Sequence, residues 1–253
     1  MNKEVRLMWT GGWDSTFRLV ELSFEEIDVF PVYVVDANRK SKDIELLRMG
    51  QILDALRNKP LTKANIHDVE IVKLESIAKD DEITRAYGCV HEKTHLGAQH
   101  EWLARLGKTM PGMELGTEAG NPETSHIIDA IQTFGKLVVE DGIGRLDPQE
   151  STKEGMLVLG WFNYPLITRT EKDMLQLIKQ WGYEDIMQNI WFCHTPIKGK
   201  PCGLCHPCDV KMESDMLFLL PEKAQKRYKI HRFCSAKFGR FGERVSAKIL
   251  RRI

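Results

Sequence analysis

The chain has 253 residues, 36 Lys/Arg balanced by 36 Asp/Glu, 42% apolar residues and six cysteines. That length can bury a sizeable core and fits one to two domains. No apolar run approaches the ~20 residues of a membrane span, and Lys3, Glu4 and Arg6 argue against a signal peptide. The expectation is a cytoplasmic protein without membrane partners, its cysteines mostly reduced.

Taken in order, Val5 to Trp9 reads as a buried strand, and Phe17, Leu19, Val20 and Leu22 open a helix. Between them lies Thr10-Gly11-Gly12-Trp13-Asp14-Ser15-Thr16. Strand, glycine turn and helix bring unpaired N–H groups and a positive dipole end to one point, which suits an anion such as phosphate. The alternative is a plain helix start capped by Asp14 or Ser15. The loop lacks the Gly-Lys-Ser/Thr ending of a Walker loop and the spacing of a dinucleotide loop.

Val29 to Val35 gives a second strand ending at Asp36, and Asn38 to Lys42 a polar loop. A helix follows on Ile44, Leu47, Ile52, Leu53 and Leu56, then a third strand over Val69 to Leu74. The pattern predicts a helix over Glu92 to Leu106, a fourth strand over Gly112 to Leu115 leading into Gly116-Thr117-Glu118, and a helix over Ser125 to Phe134. Residues 135–156 read as a long loop or insertion, Met156 to Trp161 as a fifth strand, and Thr170 to Trp181 as a helix capped by Thr170. Alternating strands and helices predict an α/β fold with a doubly wound parallel sheet, its ligand beyond the carboxyl ends of the strands. The glycine loop, Asp36, Gly116 and Thr117 would converge there.

His91-Glu92-Lys93-Thr94-His95 fits the H-E-x-x-H metalloprotease pattern, but the longer form fails because Gly97 and His100 each come one position early. A helix that carries polar histidines or lines a substrate pocket explains it better. Cys193, Cys202, Cys205 and Cys208 form C-x8-C-x2-C-x2-C. Four thiolates with no open position favour a structural Zn2+, although an iron–sulfur cluster uses the same ligands. Cys89 and Cys234 remain, each read as a simple buried thiol; a persulfide carrier, by analogy with sulfur-inserting enzymes, would fall to Cys89.

Zero net charge hides a polarity, because residues 221–253 hold 11 Lys/Arg and 2 Asp/Glu. Such a segment could dock on the chain's own acidic surface, or contact nucleic acid or an acidic protein.

The N-terminal loop resembles the Ser-Gly-Gly-x-Asp-Ser loop of the PP-loop ATP pyrophosphatases, with Thr10 in place of the first serine. Together with Cys193 and the Cys202-Gly203-Leu204-Cys205-His206-Pro207-Cys208 motif, it is similar to the 7-cyano-7-deazaguanine synthase (QueC) family. Glu114-Leu115-Gly116-Thr117-Glu118 and Pro165-Leu166 with Glu171-Lys172-Asp173 are looser matches, and the resemblance spans roughly residues 5–220. It implies an adenine nucleotide alpha hydrolase-like domain over 1–185, a helical zinc-binding subdomain over 186–220 and a basic extension over 221–253. It also implies AMP-forming activation of a carboxylate, 7-carboxy-7-deazaguanine, by ATP, then amidation by ammonia towards a nitrile. Thr10 to Thr16 would hold ATP with Asp36, Gly116 and Thr117 near the nucleoside. Ser15 and Lys172 would act on the phosphates, and Asp14 would fix the loop or a Mg2+ ion. Asp36-Ala37-Asn38-Arg39-Lys40-Ser41 departs from the family's Asp-Tyr-Gly-Gln-Arg-His, so activation is better marked than the acceptor. Defence-associated relatives that use a protein amine, and tRNA-modifying PP-loop enzymes, are the alternatives. Homodimerisation is implied by analogy alone.

Overall fold

A computed structural model describes residues 3–251; Arg252 and Ile253, at the end of the predicted basic extension, lie outside the described residues, as do Met1 and Asn2. In chain order the elements are β1 (Glu4–Met8), α1 (Trp13–Ser23), β2 (Asp28–Val35), α2 (Lys42–Arg57), β3 (Asn65–Ile66), β4 (Glu70–Lys73), α3 (Asp81–Thr94) and α4 (Gln99–Thr109). There follow β5 (Met113–Glu114), α5 (His126–Phe134), β6 (Leu137–Glu140), β7 (Ile143–Leu146), α6 (Lys153–Leu159), β8 (Phe162–Asn163), α7 (Glu171–Trp181) and α8 (Glu184–Met187). The chain closes with α9 (His206–Glu213) and α10 (Glu222–Leu250).

The main sheet runs β3-β2-β1-β5-β8, with β4 also paired to β2, and its strand pairings are parallel. Side-chain alternation explains why both faces are covered. Leu7, Val29 and Tyr33 face one core with α1, α2, α7 and α8. Met8, Val32 and Val34 face the other with α3, α4, α5 and α6. The α/β architecture with a parallel sheet therefore follows the sequence pattern.

Three local expectations are corrected. The predicted helix over Glu92 to Leu106 is two helices, because His95 takes a left-handed φ of 54° and ends α3. The stretch 135–156 is not a loop: β6 and β7 form an antiparallel ribbon, with Val138 opposite Arg145. Met156 to Trp161 is not a strand: Thr152 caps α6 by accepting from the Gly155 amide, and β8 begins only at Phe162. A short apolar run does not by itself distinguish a strand from a buried helix. At α7 Thr170 caps the helix as expected, and Asp173 completes a capping box with it.

Inside the sheet Glu114 is 3% exposed, and Arg18 of α1 meets it with two N–H···O contacts of 2.7 and 2.9 Å. Removing one partner of such a pair strands the other charge, which costs far more than the pair itself contributes. Arg18→Met is expected to destabilise the fold by about 3–5 kcal/mol in denaturant titration, with Arg18→Met/Glu114→Gln recovering most of that loss.

Candidate functional site at the carboxyl edge of the sheet

The strand order reverses between β1 and β5: chain growth proceeds from β1 to β2, then returns to the other side of β1. Loops on either side of such a reversal diverge and leave a crevice. The glycine loop leaves β1 on one side of it, and Gly116 and Thr117 leave β5 on the other. Together with Gln99, His100, Leu103 and Ile127 they line a cleft of about 170 Å³. A larger hollow of about 480 Å³, lined by Lys3, Arg18, Arg169 and Trp181, sits by the amino end of β1, away from the loop.

Two glycines set the loop's shape. Gly11 has φ 68°, and a Cβ at Gly116 would lie 2.9 Å from the Ser15 amide nitrogen. The N-cap of α1 is Gly12, and no side chain caps the helix. The plain capped start, with Asp14 or Ser15 as cap, is therefore not the arrangement present. Instead the Ser15 hydroxyl accepts from the Thr10 amide at 3.3 Å and lies 3.5 Å from the Thr10 hydroxyl. Thr16 is buried and accepts from the Trp9 indole at 3.0 Å, which anchors the loop to β1.

Behind the loop, Lys211 of α9 is 7% exposed and donates to Glu171 at 2.8 Å, with its Nζ 5.9 Å from the centre of the Trp13 ring. Its charge also acts on Asp14 and Glu118. Burial raises Asp14 to about 6 and Glu118 to about 7, with Glu171 adding to both shifts and Lys211 opposing them. Two buried polar atoms beside the loop, Trp13 Nε1 and Glu118 Oε2, have no hydrogen-bond partner among the described residues. Burial holds His100 below its usual range, so a neutral imidazole stands in the cleft wall.

The four cysteine sulfurs of the C-terminal motif lie within 4.8 Å of one another. Three of the pairs are 3.5, 3.9 and 3.9 Å apart. Four sulfurs at ~2.3 Å from a tetrahedral centre would be about 3.8 Å apart, so the set fits a metal ion. Amides of Cys202 and Leu204 point at sulfurs at 3.2 Å, which favours thiolates. Among the described residues it is the one His/Cys/Asp/Glu group so placed. The H-E-x-x-H alternative fails locally, because α3 ends at Thr94, His95 leaves it with a left-handed φ of 54°, and the two histidines belong to no candidate metal group among the described residues. This cysteine centre touches the glycine loop through Trp191, whose amide donates to the Gly11 carbonyl and whose indole donates to the Cys193 carbonyl, both at 2.8 Å.

The sequence-derived residues thus divide. Thr10, Gly12, Trp13, Asp14, Ser15, Gly116 and Thr117 line one cleft, with Gly11 and Thr16 shaping it. Asp36 is half-buried, accepts from the Asn38 amide at 2.8 Å and does not line that cleft. Lys172 is exposed and lines a separate hollow with Glu213 and Asp215. Sequence reading missed Lys211, whose place three residues after Cys208 was the available signal, whereas His100, on the histidine-bearing stretch expected to line a pocket, does line the cleft. The chain matches no protein-family model and no curated protein.

Two outcomes follow. Because the folded-state pKa of Glu118 is raised, its contribution to stability is present below about 4.5 and is lost as pH rises through about 7. Relative to Glu118→Gln, the wild-type melting temperature should therefore fall between pH 5.5 and 8. Cys202→Ser should remove a bound metal ion, read by elemental analysis, and lower the melting temperature by at least about 5 °C.

Proposed function

We propose that the protein is an ATP-dependent, AMP-forming enzyme that activates a carboxylate, with 7-carboxy-7-deazaguanine as the substrate suggested by sequence resemblance. The observation that carries this reading is the uncapped α1 start, set with Ser15 against Gly116 at the strand-order reversal.

In this reading the N–H groups at the start of α1 and the Thr10 and Ser15 hydroxyls receive the polyphosphate and act on charge as it develops. A carboxylate oxygen attacks the α-phosphorus, forming a C–O–P link while the bond to pyrophosphate breaks and its electron pair leaves with pyrophosphate. An amine nitrogen then attacks the acyl carbon and expels AMP, giving an amide. Lys211 rather than the exposed Lys172 supplies the buried positive charge behind the loop. Asp14 and Glu118 would hold Mg2+, whose role is to neutralise phosphate charge; the partnerless Glu118 oxygen fits that use. The cysteine centre is assigned Zn2+ in a structural role, since four sulfurs leave no open position. Cys89 is exposed on α3 and outside the cleft, so sulfur transfer through it has no geometric support.

AMP and pyrophosphate release, measured with this carboxylate with and without ammonia, tests the reading. Release is expected, with Ser15→Ala lowering it about 100-fold at unchanged metal content. Ammonia-dependent formation of the 7-amido product supports the small-molecule ligase. AMP release that ammonia does not carry to product points to a protein amine. Unchanged turnover in Ser15→Ala would refute the site assignment.

A further inference from the structure

The last helix, α10, contains a break at Gly239, with φ 59° and ψ −149°, that divides it into arms over residues 222–238 and 240–250. The arms contact each other: His231 Nδ1 lies 2.8 Å from the Ser246 hydroxyl, and Gly242, Ser246 and Leu250 are buried. Among the described residues, the ties to the rest of the chain come from the first arm, up to Arg232. Arg227 donates to the carbonyls of Cys202 and Pro201, and Glu213 receives Tyr228 at 2.7 Å and Arg232 at 3.6 Å. The predicted docking of this basic segment on the chain's own acidic surface therefore stops at Glu213.

Beyond that point the hairpin is open. Phe233, Phe238 and Phe241 are 63%, 56% and 75% exposed, and Ile230, Val245 and Ile249 are exposed too. Between the arms runs a wholly apolar groove of about 330 Å³, lined by Ile230, Cys234, Phe238, Phe241, Val245 and Ile249. Lys237, Arg240, Arg244 and Lys248 interleave with these residues along the arms and are exposed. Among the described residues, only Lys226 and Arg232 of the Lys/Arg in α10 lie within ion-pair distance of a carboxylate.

Two antiparallel helices with an open apolar seam lack the third helix that would complete a bundle. We infer that this hairpin is a docking site for an acidic amphipathic helix of a partner protein. The partner's apolar row fills the groove, and its flanking carboxylates meet Lys237, Arg240, Arg244 and Lys248. The apolar floor offers nothing to phosphate oxygens. Lys237 Nζ already lies 5.8 and 5.5 Å from the ring centres of Phe233 and Phe238, on faces that nucleobases would use for stacking. The concave seam suits a single row of side chains rather than the plane of a bilayer.

The test uses the full-length protein and a fluorescent 21-residue peptide with leucine at the a and d positions of each heptad and glutamate elsewhere. Fluorescence anisotropy is expected to show saturable binding, at least tenfold tighter than for the peptide with lysine in place of glutamate, and weakened by salt. Phe241→Glu, at an exposed position, should weaken it at least tenfold with unchanged circular dichroism and metal content; Arg244→Glu/Lys248→Glu should weaken the acidic peptide selectively. Equal affinity for the two peptides would overturn the inference. So would tighter binding of a 20-nucleotide oligo-dT or of phosphatidylserine vesicles. A dimer in light scattering that Phe241→Glu dissociates would assign the groove to a second copy instead.

Discussion

The close approach of β5 to the glycine loop constrains the rest of the site. The strand-order reversal places two chain exits side by side, and the absence of a side chain at Gly116 lets the backbone after β5 reach the start of α1. A larger residue there would displace either the Ser15 amide or the strand end. Everything assigned to the cleft depends on that contact: the direction of the first-turn N–H groups, the position of Ser15, and the approach of His100 from α4. Parallel sheets generate such crevices through topology, so the chain needs few residues to turn one into a polar pocket.

A second constraint comes from the cysteine centre. Trp191 joins the Gly11 carbonyl to the chain entering Cys193, while α9, which carries Cys208, delivers Lys211 to Glu171. A segment with little apolar surface of its own thus braces the loop from two directions. Burial raises the pKa values of Asp14 and Glu118, and the carboxyl groups crowded around a single buried lysine add to the shift. In the proposed function, a cation arriving with phosphates would displace those protons and so connect proton binding to ligand binding at this edge.

The sheet and the loop were legible because each rests on local pattern: apolar runs at β1 and β2, paired glycines after β1, and the three closely spaced cysteines after Cys193. What failed to show in sequence depends on tertiary contact. Lys211 looks like any surface lysine until α9 is placed against α7. The break between α3 and α4 is marked in the sequence by Gly97 alone, and it is His95, a non-glycine residue two positions earlier, that takes the left-handed turn. The apolar run near Val158 forms a helix because Thr152 caps it and α3, α4 and α5 cover it, facts that no periodicity carries. The open groove of α10 was visible only as charge, since its apolar residues acquire meaning from the fold at Gly239.

The account is tested most directly by amide hydrogen exchange with and without a non-hydrolysable ATP analogue and Mg2+. It predicts protection confined to residues 9–18 and 114–118, with no change in the ribbon formed by β6 and β7 or around the hollow beside Lys3 and Arg169. Protection centred on that hollow, or none at the glycine loop at saturating nucleotide, would contradict it.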